Sequence, residues 1–180
     1  MVTDNLLSMI APASILIVLA LAVRQDLAHH RISNVLTFGA AAAGVALAWL
    51  THGSDGAMLA LAGAALGLAC LLPLYLCKGM GAGDVKLMAA AGAFLGPINA
   101  FIATLATLAI GGVLAIAVVT WRVVELRSAA VVPGGHGPGF RDALALAGKD
   151  RFPYAAAIAL GVLATMWMRG LLRPLAGGLA

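Results

Sequence analysis

Long apolar runs separated by short polar interruptions occupy this chain from end to end, and no other feature limits its fold as strongly. With 63% hydrophobic and only 10% charged residues, its 180 residues lack the polar surface to cover a soluble core. A free-standing soluble domain is excluded. At about 20 apolar residues per span, six helices need roughly 120 positions and leave about 60 for loops and ends. The expected fold is therefore an all-α membrane protein: a bundle of about six transmembrane helices in the lipid bilayer, forming a single domain over residues 1–180.

The first run, 6–23, has no Lys or Arg before it and is long for the apolar part of a signal peptide, so it is read as a retained helix. The second, 35–50, ends in Thr51-His52-Gly53-Ser54-Asp55-Gly56, a short loop by its turn-forming residues. The third, 57–77, contains Pro73, expected to bend its last turns, and the small-xxx-small pair Gly63 and Gly67, suited to close helix contact. A fourth helix from Asp84 to near Gly96 rises only about 20 Å, short of a hydrocarbon core of about 30 Å. After the break at Pro97 a fifth run covers 98–121, a cytoplasmic loop is expected over 122–152, and the last span runs from 153 to about 168.

Alternating spans put Arg24, Arg31, Lys78, Lys86, Arg122, Arg127, Arg141, Lys149 and Arg151 on one side and only Arg169 and Arg173 on the other. By the positive-inside rule the first side is cytoplasmic and both termini lie outside. The net charge of +4 thus reads as a topology signal, and no nucleic-acid partner is expected. Cys70 and Cys77 sit seven positions apart in an apolar run and read as packing residues. His29 and His30 are adjacent and do not converge on one helix face, so no metal site is expected.

Of the seven acidic residues, Asp26 and Asp84 stand out, each at a junction between a membrane helix and a cytoplasmic loop. A carboxylate there is costly unless paired or functional. Two readings of Lys78-Gly79-Met80-Gly81-Ala82-Gly83-Asp84 remain open. In one, Gly79 or Gly81 ends the third helix and Asp84 caps the fourth. In the other, the glycines allow close backbone approach while Asp84 projects into a wet pocket at membrane depth, with Lys86 tuning it. Asp26 can likewise cap a helix or pair with Arg24 or Arg31. If both carboxylates share a water-accessible, low-dielectric pocket, they hold one proton between them. The ionised member can then activate water against a peptide carbonyl while the other donates a proton. Zinc and serine hydrolase patterns are absent from the sequence. The alternative is a small proton- or cation-coupled transporter using the same two aspartates, which requires polar residues to continue across the bundle. The run interiors carry mainly Ser14, Thr37, Asn99, Thr104 and Thr107. A non-catalytic scaffold would leave both aspartates as helix caps.

Gly81-Ala82-Gly83-Asp84-Val85-Lys86-Leu87, followed by Ala91-Gly92-Ala93-Phe94-Leu95-Gly96, resembles the GxGD segment of type IV prepilin peptidases. Asp26-Leu27 before Arg31-Ile32-Ser33-Asn34 resembles the family's other motif, an Asp ahead of Ile-Pro-Asn, with Ser33 in place of Pro. Phe152-Pro153-Tyr154 resembles the opening of the last helix in the short branch that processes Flp (tight-adherence) pilins. The resemblance implies an inner-membrane aspartyl endopeptidase that cuts the leader from a prepilin or pseudopilin precursor after a glycine, at the cytoplasmic face. It implies Asp26 and Asp84 as the catalytic pair, Gly81 and Gly83 as the residues shaping the turn, and Asn34 and Lys86 as supporting residues. The cysteine-rich zinc segment of the longer, methylating relatives has no counterpart in this sequence, so no cofactor is expected.

Overall fold

The computed structural model describes residues 2–29, 32–129 and 154–172. Four helices occupy them: α1 (Val2–His29), α2 (Asn34–Leu76), α3 (Ala82–Ala129) and α4 (Tyr154–Met168). No strand occurs among the described residues. The all-α expectation holds, but the expected count of about six helices does not. Two stretches read as breaks, 51–56 and the one at Pro97, are each reduced to a single non-helical glycine inside a longer helix, Gly53 in α2 and Gly96 in α3.

Both glycines turn the chain sharply. Gly53 has φ 63° and ψ −148°, and Gly96 has φ 73° and ψ 172°, backbone regions that side chains with a Cβ rarely adopt. In a straight helix Gly56 would lie about 12 Å beyond Ala48, yet a Cβ on Gly56 would meet the Ala48 carbonyl oxygen. The two arms of α2 therefore fold back on each other. Pro97 follows the second turn directly, where a missing N–H costs nothing at the start of a new helical arm. Asn99 secures this turn, its Nδ2 donating to the Leu95 carbonyl at 2.9 Å and its Oδ1 accepting from Arg169 Nε at 2.9 Å.

Three other boundaries differ from the sequence reading. α1 continues to His29, so Asp26 lies in its last turns and not in a loop. α3 continues to Ala129, beyond the expected start of the 122–152 loop, and the rest of that loop (130–152) falls outside the described residues. The end of α2 is closed by Lys78 and not by a glycine: Lys78 takes φ 58°, its N–H donates to the Tyr75 carbonyl at 2.9 Å, and the Gly79 N–H donates to Leu74 at 2.9 Å. That is a Schellman closure with lysine in the left-handed position, at a cost of about 1–2 kcal/mol.

The arms pack through small residues. Cβ atoms built on Gly63 and on Gly92 would each strike the other's carbonyl oxygen, so these two backbones are in direct contact. A Cβ on Gly44 would come within 3.0 Å of Ala93 Cβ, and one on Gly161 would meet Thr107. Around these contacts a core forms from Ile15, Leu71, Leu87, Met88, Ile158 and Met166. The outer surface is apolar as well, with Ile17, Trp49, Met58, Ile98, Ile116 and Trp167 exposed. Such a surface is costly in water and suited to lipid. Met9–His29 of α1, all of α2 and Ala82–Trp121 of α3 are long and apolar enough to cross a membrane, whereas α4 is a shorter apolar helix.

Backbone contact at Gly92 makes it intolerant of even one added carbon. Gly92→Ala should destabilise the protein by about 1–3 kcal/mol, whereas Gly39→Ala, which meets nothing within 4 Å, should be neutral or stabilise by up to about 1 kcal/mol. Thermal unfolding of the two variants in detergent, followed by circular dichroism, measures the difference.

Candidate functional site

The start of α3 is built by its glycines. Gly81 immediately precedes the helix, and its carbonyl accepts the N–H of Asp84 at 3.2 Å. Asp84 is the third residue of α3, and its Oδ2 accepts the Gly81 N–H in return at 3.2 Å. The carboxylate thus reaches back to the residue ahead of the helix, as in half of a capping box. This differs from the expected placement of Asp84 in the capping position itself. A Cβ on Gly81 would sit 3.0 Å from Asp84 Oδ2, so glycine gives this carboxylate its room.

Depth follows from the register of the arms. Gly63 meets Gly92 and Gly67 meets the Met88 carbonyl, an antiparallel pairing that packs the first arm of α3 against the second arm of α2. Asp84 is accordingly only 8% exposed. Its favourable position in the first helical turn offsets part of the cost of that burial.

Gly83 serves a different purpose. A Cβ there would lie 3.2 Å from Ile32 Cβ, so its absence lets the link between α1 and α2 settle onto the start of α3. That link is fastened at both ends. The Ser33 N–H donates to Gln25 Oε1 at 2.9 Å, and Ser33 Oγ accepts the Val35 N–H at 3.2 Å to cap α2. With φ −64° the backbone at Ser33 would also suit a proline, but proline has no N–H to give Gln25. Gln25 carried no signal of its own in the sequence. The one hint was the missing proline at position 33, which frees a donor.

Gln25 is next to Asp26, which is partly buried and whose Oδ2 is enclosed without a hydrogen-bond partner. No ion pair joins it to Arg24, and Arg31 lies outside the described residues. Asp26 is within electrostatic range of Asp84. The two carboxylates singled out in the sequence, one on α1 and one on α3, thus lie on the same side of the bundle, close enough to influence one another electrostatically. Tyr154, at the start of α4, is within electrostatic range of Asp84 too. Lys86, one turn of helix beyond Gly83, donates from Nζ to Asn34 Oδ1 at 2.8 Å and stands 5.4 Å from the centre of the Phe38 ring. It ties the start of α2 to α3 and forms no hydrogen bond with Asp84. Among the described residues no three His, Cys, Asp or Glu side chains gather as a metal ion would require.

The arrangement presents two carboxylates, one held at a helix N-terminus and one with an oxygen free of protein donors, toward one end of an apolar bundle. A pair of this kind can pass a proton to and from a bound water or carbonyl. The model of the type IV leader peptidase family matches residues 13–116, a stretch that includes both aspartates and the glycines around them. No curated protein and no solved structure matches the chain significantly.

The Lys86–Asn34 bond spans 52 residues of sequence and should register as pairwise coupling. In a double-mutant cycle of Lys86→Met and Asn34→Ala, unfolding in detergent should give a coupling energy of about 0.5–1.5 kcal/mol. Strictly additive effects would mean that the bond adds nothing to stability.

Proposed function

The chain belongs to the type IV leader peptidase family, and from that premise we propose that it is an aspartyl endopeptidase that removes the leader from Flp-like prepilins or pseudopilins. Cleavage occurs after a glycine at the cytoplasmic face of the inner membrane, with both termini of the enzyme outside. Asp26 and Asp84 are the catalytic pair. One of them, ionised, takes a proton from water as the water oxygen attacks the scissile carbonyl, while the other, protonated, donates to the carbonyl oxygen. Collapse of the tetrahedral intermediate breaks the C–N bond, and the proton taken from water goes to the leaving amine. The products are a carboxylic acid and an amine, and both aspartates return to their starting protonation.

The observation that carries this reading is that Asp26 on α1 and Asp84 on α3 lie within electrostatic range of one another. Gly81 and Gly83 support it by making room for the Asp84 carboxylate and for Ile32. Asn34 and Lys86 support it by holding α2 to α3 beside the site. A leader cleavage site lies where a polar segment meets an apolar helix, and carboxylates at the end of the bundle can meet that junction without drawing the helix out of lipid.

The transporter alternative needs a polar path, and the buried hydroxyls do not form one. Thr37, Thr104, Thr107 and Thr165 each donate to a carbonyl of their own helix, three or four residues back. Bonds of this kind satisfy a hydroxyl locally and relay nothing between helices.

The purified protein in detergent should cleave a prepilin peptide at a Gly-hydrophobic bond. Asp26→Asn and Asp84→Asn should each lower turnover by at least about 10²–10⁴-fold while circular dichroism shows the helical content unchanged. Substantial cleavage by either variant rejects the pair.

A further inference from the structure

Beside Asp26, on another face of α1, the end of that helix borders, with Ile32 and Ser33, an open pocket of about 620 Å³. Neither Asp26 nor Asp84 lines it, so it is separate from the proposed catalytic pair. Its polar lining is Arg24, Gln25, His29 and Ser33.

Hydrogen-bond accounting gives this lining one sign. Gln25 Oε1 is engaged by the Ser33 N–H at 2.9 Å, which leaves the two Nε2 hydrogens to donate. Ser33 Oγ accepts the Val35 N–H at 3.2 Å and keeps its own hydrogen to offer. Arg24 is exposed and makes no ion pair among the described residues, and its guanidinium only donates. The His29 ring has at least one N–H in either tautomer. Among the described residues no carboxylate lines it. Donors with a cation and no opposing acid suit an anion with several oxygens.

The rest of the wall is Leu21, Ala28 and Ile32, which a free inorganic anion would not use. Arg24 stands near the end of the apolar stretch Met9–His29, and exposed Leu27 and Val35 mark lipid-facing surface close by. Apolar side chains beside free donors, at the end of an apolar helix, match an amphiphile. We propose that this pocket binds the phosphate-bearing headgroup of an anionic phospholipid, with Arg24 as the principal contact and the glycerol end of the acyl chains against Leu21, Ala28 and Ile32. A lipid phosphate held there also lowers the positive potential that nearby Lys and Arg residues create beside the aspartates.

The test uses the full-length protein in a neutral detergent, titrated with dioleoyl phosphatidylglycerol and examined by native mass spectrometry. Dioleoylglycerol, with the same tails and no phosphate, and inorganic phosphate serve as comparisons. One phosphatidylglycerol should be retained per chain, with an affinity at least about tenfold above that for dioleoylglycerol. Arg24→Gln should lose about tenfold of that affinity and Arg24→Lys less, while Arg169→Gln, at the opposite end of the bundle, should leave it unchanged. Circular dichroism establishes that each variant is folded. Equal retention by Arg24→Gln, or equal binding of dioleoylglycerol, overturns the proposal. Inorganic phosphate displacing the lipid at matching concentration overturns the lipid assignment in favour of a free-anion site. Because binding is read without turnover, the result is independent of whether Asp26 and Asp84 cleave peptides.

Discussion

Contact between the backbones of Gly63 and Gly92 sets the geometry of this protein. Apolar surfaces gain little from each other in lipid, because the surrounding tails are just as apolar, so close van der Waals contact must hold the helices together. Two glycines facing one another permit that contact and fix the height of the first arm of α3 against the second arm of α2. Asp84 rides on that arm. Its depth follows from how that arm packs, since the side chain is too short to choose its own. A carboxylate at that depth needs compensation, and the first turn of a helix provides it through the Gly81 N–H and the helix dipole.

Asp26 is held in a different way. It sits near the end of α1, a helix with few close approaches to α2 and α3 compared with those between α2 and α3 themselves. What fastens the end of α1 is local: the Gln25–Ser33 hydrogen bond and the seat that Gly83 provides for Ile32. One carboxylate is thus mounted on the most rigid pair of arms and the other on a helix whose position a few contacts decide. For the proposed peptidase this asymmetry has a use. A substrate helix must enter beside the pair, and a lightly held α1 can yield to it while Asp84 stays in place.

The glycines of the Gly81-Ala82-Gly83-Asp84 segment divide their labour. Gly81 leaves space for the carboxylate, Gly83 leaves space for a neighbouring segment, and the sharp closure of α2 falls to Lys78. Ser33 makes a similar point from the other motif. Its backbone angle is one that proline also adopts, but its N–H and hydroxyl are both used, one to hold Gln25 and one to cap α2. A departure from a family pattern can therefore keep the backbone path and change what the backbone is bonded to.

The residues alone determined that the chain is helical, that its surface belongs in lipid, and that Asp26 and Asp84 are the carboxylates to follow. Apolar run length and the cost of a charge at a membrane junction are local properties, readable from composition and order. The small-residue pair at Gly63 and Gly67 was legible for the same reason, as both glycines do meet α3. Helix count was not legible, because a six-residue polar stretch and a Gly-Pro pair look like loops in sequence, whereas one glycine at positive φ suffices to reverse a helix. Nor could spacing reveal that Gln25 accepts from Ser33, that Lys86 reaches Asn34 and not Asp84, or that four donors surround one pocket. Those facts depend on which faces meet once the arms have folded back. Only tertiary structure decides that, because backbone contact, and not the pattern of apolar residues, sets the register between helices that are apolar on every side.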